Sequence, residues 1–373
     1  MGQGDDVVLI HGLGASQGFW GPRILLPLAR LYRVTLFDLR GHGYSDMPAT
    51  GYSLTDFATD VYHLLDRLHI KKADLIGHSF GGAVALQATV LFPERVRSLV
   101  LADTRIRSLH QPSSAQMRSD CVLTKKLEHI GLSIPRDEQE AGLWLLERFA
   151  SSLQTETLEL LQATEPFIPF INKKGKTRSA ERLLQLFQTT SAKEEISNSW
   201  ELTHEKLSHL KQPTLAMCGE SMLTKASQLE LQHHLGRCHT IVIPEAGHFF
   251  PLTHTQLFLQ KVISFFDKVQ TGEYRENERY LVKIPLEIET AELPPFPVLT
   301  VNVSARGLLV DSPCKIPPGT IIQIRILSED TPPQLLGIAR VVRMEEEAHE
   351  NNFRLGLELF SPDEQLDMTR LCH

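Results

Sequence analysis

Cysteine is scarce in this chain, five residues in 373. Cys121, Cys218, Cys238, Cys314 and Cys372 are odd in number and widely scattered. That excludes a disulfide-built scaffold and predicts reduced thiols in the cytoplasm. Basic charge is not in excess either. Lys and Arg total 38 against 45 Asp and Glu, a net charge of −7, so no whole-molecule field draws the chain to a nucleic-acid polymer or an anionic membrane. Long apolar runs are also missing. The stretch from Gly81 to Phe92 is broken by Gln87, and no transmembrane segment is predicted. The opening Met1–Asp6 has no basic region followed by an apolar core, which argues against a secretory leader. Metal chemistry is not expected: His233, His234 and Cys238 diverge in direction, and no further ligand completes a set. Internal repeats and low-complexity segments are absent as well.

What remains is ordinary globular composition, 42% hydrophobic and 22% charged, long enough for more than one domain. The first part alternates short apolar runs with helical patterns. Val7–Ile10, Arg33–Phe37, Ala73–Ile76 and Ser98–Leu101 read as buried parallel strands. Between them Ser53-Leu-Thr-Asp56 can cap a helix whose apolar face is Leu54, Phe57, Val61, Leu64, Leu65 and Leu68. Such βαβ units predict an α/β fold with a mostly parallel sheet. From about 104 to 208 helical patterns replace strands, so this stretch reads as an inserted helical cap. Strands return at Thr214–Met217 and Thr240–Ile243, followed by a closing helix. A polar linker, 269–274, then precedes short strands alone: Tyr280–Ile288, Val298–Val303, Thr320–Ile326, Gly337–Arg343 and Phe353–Phe360. The expected division is an α/β domain over 1–268 and an all-β barrel over 275–373.

Gly77-His-Ser79-Phe-Gly81 sits where a strand meets a helix. A sharp turn there projects the Ser79 hydroxyl, and the helix N-terminus faces developing negative charge. A hydroxyl needs a base to take its proton. His248, in Pro244-Glu-Ala-Gly-His248, follows a late strand and lies on the same sheet edge. His11-Gly-Leu-Gly14 can turn the Leu13 N–H into the site, opposite the N–H of Phe80 after the nucleophile, forming an oxyanion hole.

These segments, together with Asp38-Leu-Arg-Gly-His-Gly-Tyr-Ser-Asp46, resemble the α/β-hydrolase superfamily in its branch of esterases, enol-lactonases and C–C bond hydrolases. The resemblance implies a Ser–His–acid triad, no catalytic cofactor and a small acyl substrate. It places the acid in Gly219-Glu-Ser-Met222, where Met222 stands at the expected position. Two carboxylates remain. Glu220 falls two residues early, and Asp103 follows the strand after the nucleophile helix, where certain lipases and dehalogenases carry their acid. Asp103 is the favoured partner of His248; Glu220, or no acid, stays open.

Arg275-Glu-Asn-Glu-Arg279 and Asn302-Val-Ser304-Ala-Arg-Gly307 resemble the paired motifs of PilZ domains, bacterial cyclic-di-GMP receptors. The resemblance implies a site in which Arg275 and Arg279 fork onto phosphates, Asn302 and Ser304 offer short polar groups, and Gly307 allows close backbone approach. Many PilZ domains carry another Arg where Tyr274 stands here. The whole reads as a serine hydrolase of esters, thioesters or related acyl substrates, regulated or localised by cyclic-di-GMP. The competing reading is a catalytically inactive hydrolase-fold scaffold serving as a cyclic-di-GMP receptor.

Overall fold

The computed structural model describes residues 1–106, 138–151, 171–172, 175–176, 178–198, 201–220, 231, 235, 237–273, 283–304, 307–327, 333–346 and 353–360. The chain divides into two compact units, Met1–Glu276 and Asn277–His373.

The first unit is built on a parallel sheet. Its strands are β1 (Asp6–Ile10), β2 (Arg33–Leu36), β3 (Ala73–His78), β4 (Val96–Ala102), β7 (Thr214–Gly219) and β8 (Cys238–Ile243), with a two-residue hairpin of β5 (Ile171–Asn172) and β6 (Gly175–Lys176) standing apart. The sheet order is β2-β1-β3-β4-β7-β8. Every residue of β3 and β7 is buried, as expected of strands covered on both faces. One face carries α2 (Leu54–Arg67) and α3 (Phe80–Leu91), and the other α1 (Gly21–Ala29) and the closing helix α9 (Thr255–Gln270). The start of α2 is set by local chemistry. Ser53 and Asp56 satisfy each other's backbone N–H groups as a capping box.

Helix α1 is absent from the sequence expectation because Pro22 and Pro27 mask its pattern. Pro22 lies in the first turn, where no N–H is needed, and Ile24 and Leu28 are buried. In the cap region the described helices are α4 (Glu138–Ser151), α5 (Arg178–Thr189), α6 (Ala192–Ser197) and α7 (His204–Ser208); a short α8 (Phe250–Thr253) precedes α9. The hairpin β5–β6 departs from the all-helical expectation there. Glu195 of α6 accepts the N–H groups of Gly51 (3.1 Å) and Tyr52 (2.7 Å), fastening the cap to the loop before α2.

The second unit is a closed barrel of β9 (Pro285–Thr290), β10 (Phe296–Ser304), β11 (Gly307–Ser312), β12 (Ile321–Ile326), β13 (Gln334–Glu346) and β14 (Phe353–Phe360), ordered β10-β11-β14-β13-β12-β9. The alternating pairs Leu286/Ile288, Leu308/Val310, Ile322/Ile324, Ala339/Val341 and Leu355/Leu357 fill it. Strand β11 is the one the sequence hides, because it begins at the final Gly of the Asn302…Gly307 motif. It pairs with β10 and β14 and completes the ring. Strand β9 begins at Pro285, later than expected; residues 280–282 lie outside the described residues. Among the described residues no helix is long and apolar enough to cross a membrane.

Candidate active site

Strand β3 ends in a backbone that few residues adopt. Ser79 has φ 55° and ψ −122°, a strained geometry that throws its side chain off the end of the strand. Close approach holds the strain in place. A Cβ at Gly81 would run into the carbonyls of Ile10 and His11, and one at Gly77 into the backbone of Gly81 and Gly82. The Ser79 N–H is tied to the Ala102 carbonyl at 2.8 Å. Sheet register then sets the neighbours. His78 of β3 lies opposite Ala102 of β4, and Ala102 opposite Met217 of β7. Ser79 and Asp103 therefore leave adjacent strands at the same level.

Asp103 also has positive φ, 49°, and is 1% exposed. Its N–H bonds the Met217 carbonyl at 2.7 Å, and its Oδ1 accepts the Gly219 N–H at 3.2 Å. Its other oxygen lies 2.5 Å from His248 Nδ1. An ionised carboxylate only accepts, so Nδ1 carries the proton and Nε2 is left with its lone pair. The His248 side chain is 25% exposed. Glu220 is engaged elsewhere: its Oε2 accepts the Glu245 N–H at 3.0 Å, bracing the turn before His248. Met222, His233 and His234 lie outside the described residues.

The loop carrying Leu13 is pinned by an exchange that sequence reasoning missed. His11 Nε2 accepts the Leu39 N–H at 3.0 Å, and His42 Nε2 accepts the Gly14 N–H at 2.9 Å. Each ring gives its Nδ1–H to a backbone carbonyl, of Gly12 (2.8 Å) and Arg40 (2.9 Å) respectively. Both must be neutral to do this. Burial lowers the His11 pKa to about 4 and, with His11 adding to it, the His42 pKa to about 3. Asp38 joins the same loops by accepting the N–H groups of Gln17 (2.7 Å) and Tyr44 (3.0 Å). Among the described residues no hydrogen bond takes up the N–H of Leu13 or of Phe80. His11 and His42 lie 31 residues apart in sequence, and their pairing is invisible without the fold.

Residues 6–255 match the model of the α/β hydrolase fold. The chain belongs to the α/β hydrolase family. Residues 273–372 match the PilZ domain. Among curated proteins this chain is 43% identical over 103 residues to a 2-hydroxymuconate semialdehyde hydrolase of Pseudomonas, covering 27% of this chain and 36% of that protein. It is 39% identical over 100 residues to an uncharacterized protein of Mycobacterium tuberculosis, covering 27% of this chain and 29% of that one. The chain thus spans about a third of the length of these relatives. A solved structure described as Est816, an N-acyl homoserine lactone degrading enzyme, is 26% identical with TM-score 0.50, over 71% of this chain and 94% of that one.

In the barrel, Asn302 pairs with Leu309 and Ser304 with Gly307 across the β10–β11 turn, after a register shift between Thr300 and Asn302. A Cβ at Gly307 would meet the Leu357 carbonyl of β14. Arg275 and Arg279 lie outside the described residues. The four described barrel arginines already face carboxylates. Arg325 reaches Glu287 and Glu289 (3.2 and 2.6 Å), Arg340 Glu358 (2.7 Å), Arg343 Glu345 (3.3 Å), and Arg354 Asp311 (3.0 Å). Among the described residues no group of three or more His, Cys, Asp or Glu side chains is placed to hold a metal ion.

Proposed function

We propose that this chain is a serine hydrolase of a carboxylic ester, thioester or related acyl substrate, and that its PilZ domain binds cyclic-di-GMP. The hydrogen bond between His248 and Asp103, one strand from the Ser79 elbow, carries the reading. Ser79 Oγ attacks the carbonyl carbon while His248 Nε2 takes the hydroxyl proton. Asp103 fixes the tautomer and stabilises the imidazolium that forms. The N–H groups of Leu13 and Phe80 receive the oxyanion, and the start of α3 adds its positive end. Collapse expels the alcohol or thiol, protonated by His248. Water then repeats the sequence on the acyl-enzyme and returns Ser79.

For the barrel, the motif arginines Arg275 and Arg279 are the groups we assign to the phosphates, on the resemblance of their segment to the PilZ motif. The cytoplasm is the compartment that suits this ligand, and the described cysteines Cys218, Cys238 and Cys314 are free thiols. The deciding experiment is labelling by a fluorophosphonate probe, with and without cyclic-di-GMP. Wild type should label and Ser79→Ala should not. Equal labelling of both, or of neither, would leave an inactive scaffold as the better account.

A further inference from the structure

His78, the residue before the nucleophile, has no role in the steps above, yet its ring lies against both the Leu13 loop with the turn after it and the loop of His248. It is 2% exposed. Its ring stacks on Phe19 at 4.4 Å between centroids and 20° between planes, and Phe19 belongs to the turn that follows the Leu13 loop. Its Nδ1 edge faces Gly12: a Cβ built there would lie 3.3 Å from Nδ1 and 3.1 Å from the Cβ of Ser79. Its other edge faces the base. His78 Nε2 is 2.9 Å from the His248 carbonyl oxygen, and the two rings are 4.7 Å apart.

The tautomer follows from these contacts. A carbonyl oxygen can only accept, so Nε2 carries the proton and Nδ1 holds the lone pair. That lone pair has no hydrogen-bond partner among the described residues. Burial keeps the ring neutral by pushing its pKa well below the ordinary 6.5. Neutrality has a chemical use here. A cation at this distance would oppose the positive charge that His248 must take on, whereas a neutral N–H fixes the loop without that penalty.

We infer that His78 is a positioning residue: its Nε2–H holds the His248 backbone, and so sets where the base stands relative to Ser79 and the Leu13 loop. This inference rests on the serine-hydrolase reading. A side chain that supplies the same N–H from the same reach should replace it. The Gln amide nitrogen sits as many bonds from Cβ as His Nε2, whereas the Asn amide stops at the position of Nδ1.

The test uses the full chain with p-nitrophenyl acetate as substrate and a fluorophosphonate as active-site probe. His78→Asn and His78→Leu should lose about 100-fold in kcat, and as much in labelling rate, with KM little changed, since misplacing the base costs the chemical step. His78→Gln should recover most of that loss. Because Leu can fail to fold, the decision rests on Gln against Asn, two amides differing by one methylene, compared at equal melting temperature. Equal rates in wild type, Gln and Asn would overturn the inference while leaving Ser79 as nucleophile. Equal losses in Gln and Asn would overturn it too, because the hydrogen bond would then not be what matters. A wild type that neither labels nor hydrolyses would overturn both this inference and the reading beneath it.

Discussion

Asp103 and His248 are 145 residues apart in sequence and 2.5 Å apart in space, the carboxylate 1% exposed and meeting Nδ1 of the ring. The contact exists because β4 delivers Asp103 beside β7, whose Met217 carbonyl and Gly219 N–H hold the aspartate backbone and side chain.

The first prediction tests this contact. In Asp103→Asn the amide can donate to Nδ1, which moves the ring proton to Nε2 and removes the base. Turnover of p-nitrophenyl acetate should fall by about 10⁴-fold. Glu220→Gln should change turnover little, since its amide oxygen can still accept the Glu245 N–H. The reverse pattern of losses would assign the acid to Glu220.

A second prediction concerns the elbow. Gly81→Ala drives a Cβ into the Ile10 and His11 carbonyls, backbone atoms that can give way only by moving β1. The substitution should destabilise the fold by about 1–3 kcal/mol and abolish probe labelling. An unchanged denaturation midpoint with full labelling would mean that the crossing of α3 and β1 is looser than described.

Part of the candidate site was legible from pattern. Ser79 stood out because Ala73–Ile76 is near-continuous in apolar residues and α3 begins directly after the serine, a boundary marked by glycines. His248 stood out by its place after a late strand. Asp103 was visible only as one of two carboxylates, because choosing between them depends on which strand lies beside β7, and sequence spacing does not give sheet order. The exchange between His11 and His42 and the bond from His78 to the His248 carbonyl were illegible for a related reason. Both join loops that meet only after the sheet has formed. In the barrel, β11 was concealed by a motif read for its ligand rather than for its Leu-Leu-Val alternation with β14.

The third prediction is a fall in stability on mild acidification. His11, His42 and His78 all have pKa values depressed by burial, His11 from 6.5 to about 4 and His42 to about 3. Below pH 6.5 the unfolded chain takes up protons at these sites and the folded one does not, so stability present at neutral pH is lost as pH falls. Asp74 opposes this. Burial raises its pKa from 3.8 to about 6, against the pull of Arg97, so it stabilises the fold as pH drops through that range. Three histidines outweigh one aspartate, with a net slope of at most about 3 kcal/mol per pH unit. Urea titrations should show lower stability at pH 5 than at pH 7, and His42→Gln should flatten the difference. Equal stability at both values would contradict the assignment of these rings as buried and neutral.

The fourth prediction is ligand binding through the motif arginines. Arg279→Ala in the full chain should weaken cyclic-di-GMP binding by about 1.5–3 kcal/mol, the worth of a charged hydrogen bond. Replacing Arg340, which faces Glu358 at 2.7 Å, should matter far less. Calorimetry showing no heat with wild type at saturating ligand would reject the site.

The last prediction is coupling between the two ligands. In sequence Arg275 and Arg279 stand five and nine residues after Gln270, the end of α9, so a nucleotide held by both takes hold of the chain that leaves the hydrolase domain. On the hydrolase side that chain runs straight back to the base: His248 is followed by α8, then by α9, whose Phe258, Val262, Phe265 and Phe266 are buried in the core. Binding at the segment after α9 can reach the active site only if cyclic-di-GMP binds two arrangements with different affinity. Linkage then makes the effect symmetric. A reversible boronic acid that occupies Ser79 as a tetrahedral adduct should bind with an affinity changed by saturating cyclic-di-GMP, and cyclic-di-GMP should bind with an affinity changed by the boronate, by the same factor of roughly 5–150. Calorimetry in both orders measures the two factors independently. Two factors of one, together with unchanged turnover in saturating cyclic-di-GMP, would assign the barrel to localisation alone.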